Sequence, residues 1–158
     1  NGKEPRGLAV PLPRTAQKIG AAVIRPIMKS TLILSRPSAP ATAQDASVAQ
    51  DLLDTFAANR QGCVGMAANM IGILKRIIVV DYEGEALLMY NPVIESSSNP
   101  YETEEGCLSL EGLRPATRYR NIAVLYEDEN FSPRKRTFSG YTAQIIQHEI
   151  DHCDGVVI

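Results

Sequence analysis

The sequence predicts an α+β domain, because two helical segments enclose a run of short β-rich segments instead of alternating with them. Near the start, Val48, Leu52 and Phe56 repeat at four-residue spacing, which puts them on one face of a helix. Near the end, residues 141–151 contain neither glycine nor proline and also predict a helix. Five segments between these helices favour strands: 76–82, 86–90, 93–97, 121–126 and 135–139.

Local signals predict where these elements begin and end. Thr42 followed by Asp45 resembles a capping box at the start of the first helix, which we expect to end near Asn59. Asn99-Pro100 predicts the end of the third strand, and residues 101–116 then predict a polar loop.

The chain of 158 residues has the length and composition of one globular domain. We interpret residues 1–22 as an N-terminal extension of unknown role and residues 23–158 as the folded domain. The formal net charge of -2 and the lack of a membrane-length apolar run give no reason to expect nucleic acid or a membrane as partner. The chain has an odd number of cysteines, which are Cys63, Cys107 and Cys153. This favours a reducing compartment over a disulfide framework.

Both histidines of the chain fall in residues 148–152, which read HEIDH within the last predicted helix. Imidazoles four residues apart project from one face of a helix, so His148 and His152 can bind one metal ion. Glu149 lies beside the first ligand, where it would act as general base toward a water at that metal. The pattern predicts a mononuclear metallohydrolase, and a helix with two surface histidines is the alternative.

A catalytic metal of this kind usually takes three protein ligands and leaves one position open. We expect the third ligand upstream of HEIDH or in the adjacent Cys153 or Asp154. Cys107 is the best candidate, because a thiolate with two imidazoles is a known catalytic set. A closed structural site, with a fourth ligand from Cys153 or Cys63, is the alternative.

Three segments resemble the motifs of peptide deformylases, in the order and at about the spacing of that family. They are residues 65–68 with Gly72 (GMAA and G), residues 105–109 (EGCLS) and residues 147–152 (QHEIDH). The second and third motifs together are highly specific. The third motif provides two of the three expected metal ligands, and the second motif contains a candidate for the missing one. The resemblance covers roughly residues 23–158, which we therefore expect to form a deformylase-like catalytic domain.

The resemblance implies one divalent metal ion on Cys107, His148 and His152, often Fe²⁺ in this family, with Zn²⁺ or Ni²⁺ as substitutes. It implies that Glu149 is the catalytic acid and base, and that the backbone N–H of Leu108 donates to the oxyanion. The implied reaction removes the N-terminal formyl group of nascent polypeptides and releases formate. The implied fold has antiparallel β-sheets packed around a central helix that carries the third motif.

The resemblance also implies how the substrate binds. An apolar pocket would take the methionine side chain, with Val64 and Ile145 as walls. The backbone of Gly65 and Gly106 would bind the peptide as an added strand. The implied partners are formylated nascent chains near the ribosome, without direct contact to nucleic acid or a membrane. The implied location is the bacterial cytoplasm, and an organellar location stays open.

The chain departs from the family pattern at two positions of the first motif. Met70 stands where the family has Gln, whose amide donates a hydrogen bond to the oxyanion, and a thioether cannot donate one. The adjacent Asn69 is not expected to replace it, because neighbouring side chains of an extended segment point to opposite faces. Cys63 stands where the family has Gly, and we interpret it as one small residue in place of another, with a redox-sensitive thiol as the alternative.

Two functions follow from these observations. The first is an active deformylase, with lowered turnover or altered substrate preference. The alternative is a deformylase-like protein that binds metal but is weak or inactive on formyl-methionine, acting on another amide or as a binding protein. Because Cys107, Glu149 and both histidines are present, we favour hydrolysis.

Overall fold

The computed structural model describes residues 17–19 and 22–157, and it confirms the α+β class. Most of the predicted extension over residues 1–22 lies outside the described residues. A two-stranded sheet pairs β1 (Gln17–Ile19) with β2 (Ala22–Ile24). The larger sheet is antiparallel, and its strands lie in chain order: β3 (Gly65–Ala67), β4 (Ile77–Tyr82), β5 (Glu85–Cys107), β6 (Leu110–Glu127) and β7 (Pro133–Ser139). The helices are α1 (Thr31–Leu34), α2 (Ala46–Ala58) and α3 (Gly140–Cys153).

The predicted first helix is confirmed together with its capping box. The backbone N–H of Thr42 donates to Asp45 Oδ2 at 2.8 Å, and Thr42 Oγ1 accepts from the backbone N–H of Gln44 at 3.3 Å. A 3-10 helix over Ala43–Asp45 leads into α2, which ends at Ala58. None of the described helices is long and apolar enough to cross a membrane.

The two longer helices pack on opposite faces of the larger sheet. Because successive residues of a strand point to opposite faces, β4 contributes to two cores. Ile77 and Val79 belong to the apolar cluster that contains the buried face of α2. Ile78 and Val80 belong to the cluster that contains α3. As a result α3 is mostly buried along its length, unlike a helix with two surface histidines.

The prediction of a strand end at Asn99-Pro100 and of a polar loop over residues 101–116 is wrong. Strand β5 continues to Cys107, the chain turns over two residues, and β6 then pairs with β5 from Cys107 back to Tyr90. Pro100 is tolerated because β4 pairs only with residues 85–90, so among the described strands β5 has one partner there. Between Tyr101 and Cys107 every second residue is exposed, and the residues of the more buried face include the polar Thr103 and Glu105, so the sequence lacks the apolar alternation that predicts a strand.

Gly155 ends α3 in a conformation that only glycine adopts easily, with φ at +76°, and a Cβ there would lie 2.7 Å from the Ser35 carbonyl oxygen. We expect Gly155→Ala to lower the free energy of unfolding by about 2 kcal/mol or more, from backbone strain plus the clash. Gly84→Ala is the matched control, because Gly84 has φ at +88° and no atom near its Cβ position. We expect Gly84→Ala to lower the free energy of unfolding by about 1 kcal/mol. Equal losses in urea unfolding would contradict the proposed clash.

Candidate active site

An open cavity of about 480 Å³ lies between α3, the segment around β3 and the turn that joins β5 to β6. Every site residue predicted from the sequence lines this cavity, apart from His152, which lies one turn beyond His148 on the same helix face. The lining residues from that prediction are Val64, Gly65, Met70, Gly106, Cys107, Leu108, Ile145, His148 and Glu149. Residues from three separate parts of the chain therefore meet at one opening.

Three potential metal ligands converge at this cavity. Cys107 is the last residue of β5, and the two histidines lie one turn apart on α3. The Nε2 atom of His152 lies 3.3 Å from Cys107 Sγ and 3.3 Å from His148 Nε2. All three donor atoms lie within 4.8 Å of one another. One thiolate and two imidazole nitrogens in this arrangement fit a divalent metal with an open position.

The other ligands considered from the sequence have other surroundings in the described structure, although Cys63 also lines the cavity. The Cys63 thiol donates to the Gly65 carbonyl at 2.9 Å, and burial raises its pKa to about 11. Cys153 is packed in the apolar cluster with α3, where burial raises its pKa to about 12. Asp154 pairs with Arg76 at 2.7 Å. Among the described residues, the group that could hold a metal has three members, so a closed four-ligand site is not formed.

Glu105 orients one of the two histidines. Its Oε1 accepts a hydrogen bond from His148 Nδ1 at 2.9 Å, which leaves Nε2 directed at Cys107 and His152. Burial alone would raise the pKa of Glu105, but hydrogen bonds from His148, Arg118 and Gln144 outweigh burial and lower the pKa to about 2. Glu105 is therefore a carboxylate at neutral pH. Carboxylate partners of this kind fix the tautomer of a metal-binding imidazole.

The two imidazoles have opposite pKa shifts. Burial alone would lower the pKa of His148, but hydrogen bonds to Cys107 and Glu105 raise it to about 10. Burial, with the neighbouring His148, lowers the pKa of His152 to about 3. Because a ligating nitrogen must be unprotonated, metal binding would release the proton that His148 otherwise holds.

Arg118 is a residue of this network that the sequence patterns did not indicate. Its Nε and Nη2 donate to the two Glu105 oxygens at 2.9 and 2.7 Å, and its Nη1 donates to Asp151 at 2.6 Å. Gln144 Nε2 also donates to Glu105, at 2.9 Å. Arg118 lies on β6, outside all three motifs. Only the register between β5 and β6 puts Arg118 beside Glu105, and the sequence predicted a loop over much of that hairpin.

Glu149 is buried against the strand that borders the cavity. A Cβ placed on Gly65 would lie 2.8 Å from Glu149 Oε2 and 2.7 Å from Ile145 Cγ2, so this close approach requires glycine. Burial raises the pKa of Glu149 to about 7. A carboxyl group with that pKa can both accept and donate a proton near neutral pH.

Met70 and Asn69 have separate roles in a 3-10 helix over Ala68–Ile71, so the expectation of an extended segment here is wrong. Met70 is buried at the cavity wall, and its Sδ accepts a hydrogen bond from the backbone N–H of Ala67 at 3.4 Å. Asn69 donates from Nδ2 to the His152 carbonyl at 2.9 Å and does not line the cavity. Asn69 therefore does not supply the amide that Met70 lacks.

Comparison with known proteins gives the same assignment along most of the chain. The model of the protein family described as polypeptide deformylase matches residues 24–158. A peptide deformylase of Clostridium beijerinckii is 52% identical over 136 residues, which span 86% of this chain and 100% of that protein. One from Synechocystis sp. is 39% identical over 136 residues, spanning 79% of this chain and 71% of that relative.

Solved structures of peptide deformylases share the fold. The protein from Thermus thermophilus matches with a TM-score of 0.75 and 34% identity, over 85% of this chain and 83% of that chain. An actinonin-bound class I type b peptide deformylase from Acinetobacter baumannii matches with a TM-score of 0.76 and 30% identity, over 85% of this chain and 94% of that chain. The fold, the motifs and these matches together show that the chain belongs to the polypeptide deformylase family.

Proposed function

We propose that this chain removes the N-terminal formyl group of nascent polypeptides in the cavity, with a divalent metal held by Cys107, His148 and His152. The observation that supports this most directly is one thiol and two imidazole nitrogens within 4.8 Å of one another, beside the buried carboxyl group of Glu149. The reaction adds water across the formyl C–N bond. Formate leaves, and the amino group of methionine is freed.

Iron(II) is the metal that we propose for the cell, with Zn²⁺ or Ni²⁺ able to replace it. Thiolate and imidazole donors accept all three ions, so that metal availability decides among them. When bound, a divalent ion lowers the pKa of a bound water to about 7 and polarises a carbonyl group.

We assign proton transfer to Glu149. With a pKa near 7, a large fraction of Glu149 is ionised at neutral pH and can take a proton from the attacking water. The same carboxyl group then gives that proton to the amine nitrogen as the C–N bond breaks. Its contact with Gly65 holds it beside the strand against which we expect the peptide to bind.

The substrate would lie along the free edge of β3. In the described sheet β3 pairs only with β4, so its outer edge can accept a peptide strand through the backbone of Gly65. The backbone of Gly106 faces the same cavity. Val64 and Ile145 line this part of the cavity and would contact the methionine side chain.

Stabilisation of the oxyanion is the weak part of this site. We propose that the backbone N–H of Leu108 donates to it, and Met70 has no donor to add. Removal of one oxyanion donor typically costs about 10²–10³ in turnover. The lack of a donor at Met70 therefore favours a second candidate function. In that alternative the chain binds metal but is weak on formyl-methionine.

We also propose formylated nascent chains near the ribosome as the partner and the bacterial cytoplasm as the location. The net charge of -2 supports neither a nucleic-acid nor an anionic membrane partner. The relatives from Clostridium beijerinckii and Synechocystis sp. are bacterial proteins.

We expect Glu149→Gln to lower formate release by about 10²–10⁴-fold, because the amide cannot carry the proton. Metal content should stay unchanged. The assay uses a formyl-methionyl tripeptide and iron-loaded protein prepared without oxygen. Glu111→Gln, an exposed acid on β6, serves as control and should keep parental turnover. Unchanged turnover in Glu149→Gln would exclude the proposed mechanism.

Met70→Gln should raise turnover on the same peptide, by up to about 10²–10³-fold, because it supplies an amide donor at the cavity wall. Met70→Leu replaces the thioether with a side chain of similar size that has no donor, and it should leave turnover unchanged. The oxyanion assignment is wrong if the parent is already fast and Met70→Gln slows it.

Cys107→Ser should leave purified protein with far less than one metal ion per chain, because a hydroxyl group is a much poorer ligand than a thiolate. Cys153→Ala is the matched control, since Cys153 lies in the apolar core. Metal analysis after dialysis compares the two variants. Full metal content in Cys107→Ser would point to a different third ligand.

A further inference from the structure

The Glu105 carboxylate accepts four hydrogen bonds, two on each oxygen. Oε1 accepts from His148 Nδ1 at 2.9 Å and from Arg118 Nη2 at 2.7 Å. Oε2 accepts from Arg118 Nε and from Gln144 Nε2, each at 2.9 Å. An ionised carboxylate offers about four lone-pair sites, so these donors occupy all of them. The orientation of this carboxylate is therefore set by several side chains together, and Gln144 is one of them.

Two of the four donors belong to α3 and lie one helical turn apart. Gln144 and His148 are at positions i and i+4, so their side chains leave the same face of the helix. Each binds a different oxygen of the Glu105 carboxylate. One bond alone would leave α3 free to rotate about that contact, whereas two bonds to one planar group fix its rotation. Because Glu105 lies two residues before Cys107 on β5, this attachment relates His148 to Cys107.

Tyr101 holds the other end of the Gln144 amide. Its hydroxyl group donates to Gln144 Oε1 at 3.1 Å. A carboxylate only accepts, so the amide nitrogen of Gln144 must face Glu105 and the amide oxygen then faces Tyr101. The guanidinium group of Arg120 lies over the Tyr101 ring, 4.5 Å from the ring centroid. The Gln144 amide thus has a hydrogen-bond partner at each end, and its orientation is fixed.

We propose that Gln144, held by Tyr101, is a positioning residue of the metal site. It binds Glu105 beside His148, and in this way it sets how the His148 imidazole approaches Cys107. The hydrogen bonds run without a gap from the Tyr101 hydroxyl through Gln144 and Glu105 to His148. The inference rests on the proposed metal role of His148, and it adds to the site two residues outside the three motifs.

Arg118 provides the competing explanation. Its two bonds to Glu105 could orient the carboxylate without help from α3. In that case the Gln144 amide only fills a lone pair, and its loss would leave metal binding as it is in the parent. The two explanations therefore differ in what happens at the metal when the amide is removed and Arg118 is kept.

The test measures Zn²⁺ affinity by competition with a chelator, together with the visible absorption spectrum of the Co²⁺-loaded protein. Gln144→Leu removes the amide and keeps a side chain that favours helix. We expect this variant to bind Zn²⁺ about 10–100-fold more weakly, as is typical when a partner behind a metal ligand is lost. The Co²⁺ bands should shift, because the His148 imidazole is no longer held in one orientation.

Tyr101→Phe is the milder variant, because it removes one hydroxyl group and keeps the ring beneath Arg120. We expect it to weaken Zn²⁺ binding by about 2–10-fold, which corresponds to one hydrogen bond. Its Co²⁺ bands should shift in the same direction as those of Gln144→Leu. This variant also decides the question if Gln144→Leu does not fold.

Thr117→Val is the matched control. The Thr117 hydroxyl group donates to Glu102 Oε1 at 2.7 Å, across the same two strands. Glu102 is next to Tyr101, so this bond lies on the opposite face of the hairpin. Thr117→Val also removes one hydroxyl group, yet it should keep the parental Zn²⁺ affinity and Co²⁺ spectrum.

Parental Zn²⁺ affinity and an unchanged Co²⁺ spectrum in Gln144→Leu would overturn the inference and leave the orientation of Glu105 to Arg118. Parental values in Tyr101→Phe would overturn it as well, and so would equal losses in Thr117→Val. The outcome is separate from that of the proposed function, because a parent that binds Zn²⁺ tightly but releases no formate fails only the latter.

Discussion

The buried ion pair of Glu105 and Arg118 is the interaction on which the site depends. Arg118 binds both oxygens of Glu105 on the neighbouring strand and also Asp151 on α3. Removing one partner of such a pair costs about 3–5 kcal/mol, because the other charge stays buried. Since Glu105 also accepts from His148, the contacts that dock α3 on the hairpin also orient a proposed metal ligand.

Close packing between α3 and β3 provides the second constraint. Gly65 has no side chain, so Glu149 and Ile145 approach the backbone of the edge strand directly. The same approach that buries Glu149 and raises its pKa puts its carboxyl group at the wall of the cavity. Packing and chemistry are thus linked at one position, and a side chain there would disturb both.

Part of the candidate site could be predicted from the sequence, because the two histidines are related by local helical spacing. Two histidines four residues apart meet on any helix, so HEIDH predicted a shared metal without knowledge of the fold. The capping box at Thr42 and the periodicity of α2 are also local, and both are confirmed. Cys107 was harder to assign, because its partners are more than 40 positions away. Ligand chemistry made it the best candidate, since a thiolate with two imidazoles is a known catalytic set, and the family resemblance then supported that choice.

The sequence by itself determined the α+β class, the helix that carries the histidines and the family to which the chain belongs. The tertiary structure decided that residues 101–116 lie mostly in strands, because pairing across a polar hairpin leaves no apolar alternation to read. It also decided the surroundings of the ligands, with Arg118 beside Glu105 and Asn69 beside His152. These contacts join residues distant in the chain, so they depend on strand register and helix docking, which local sequence patterns do not encode.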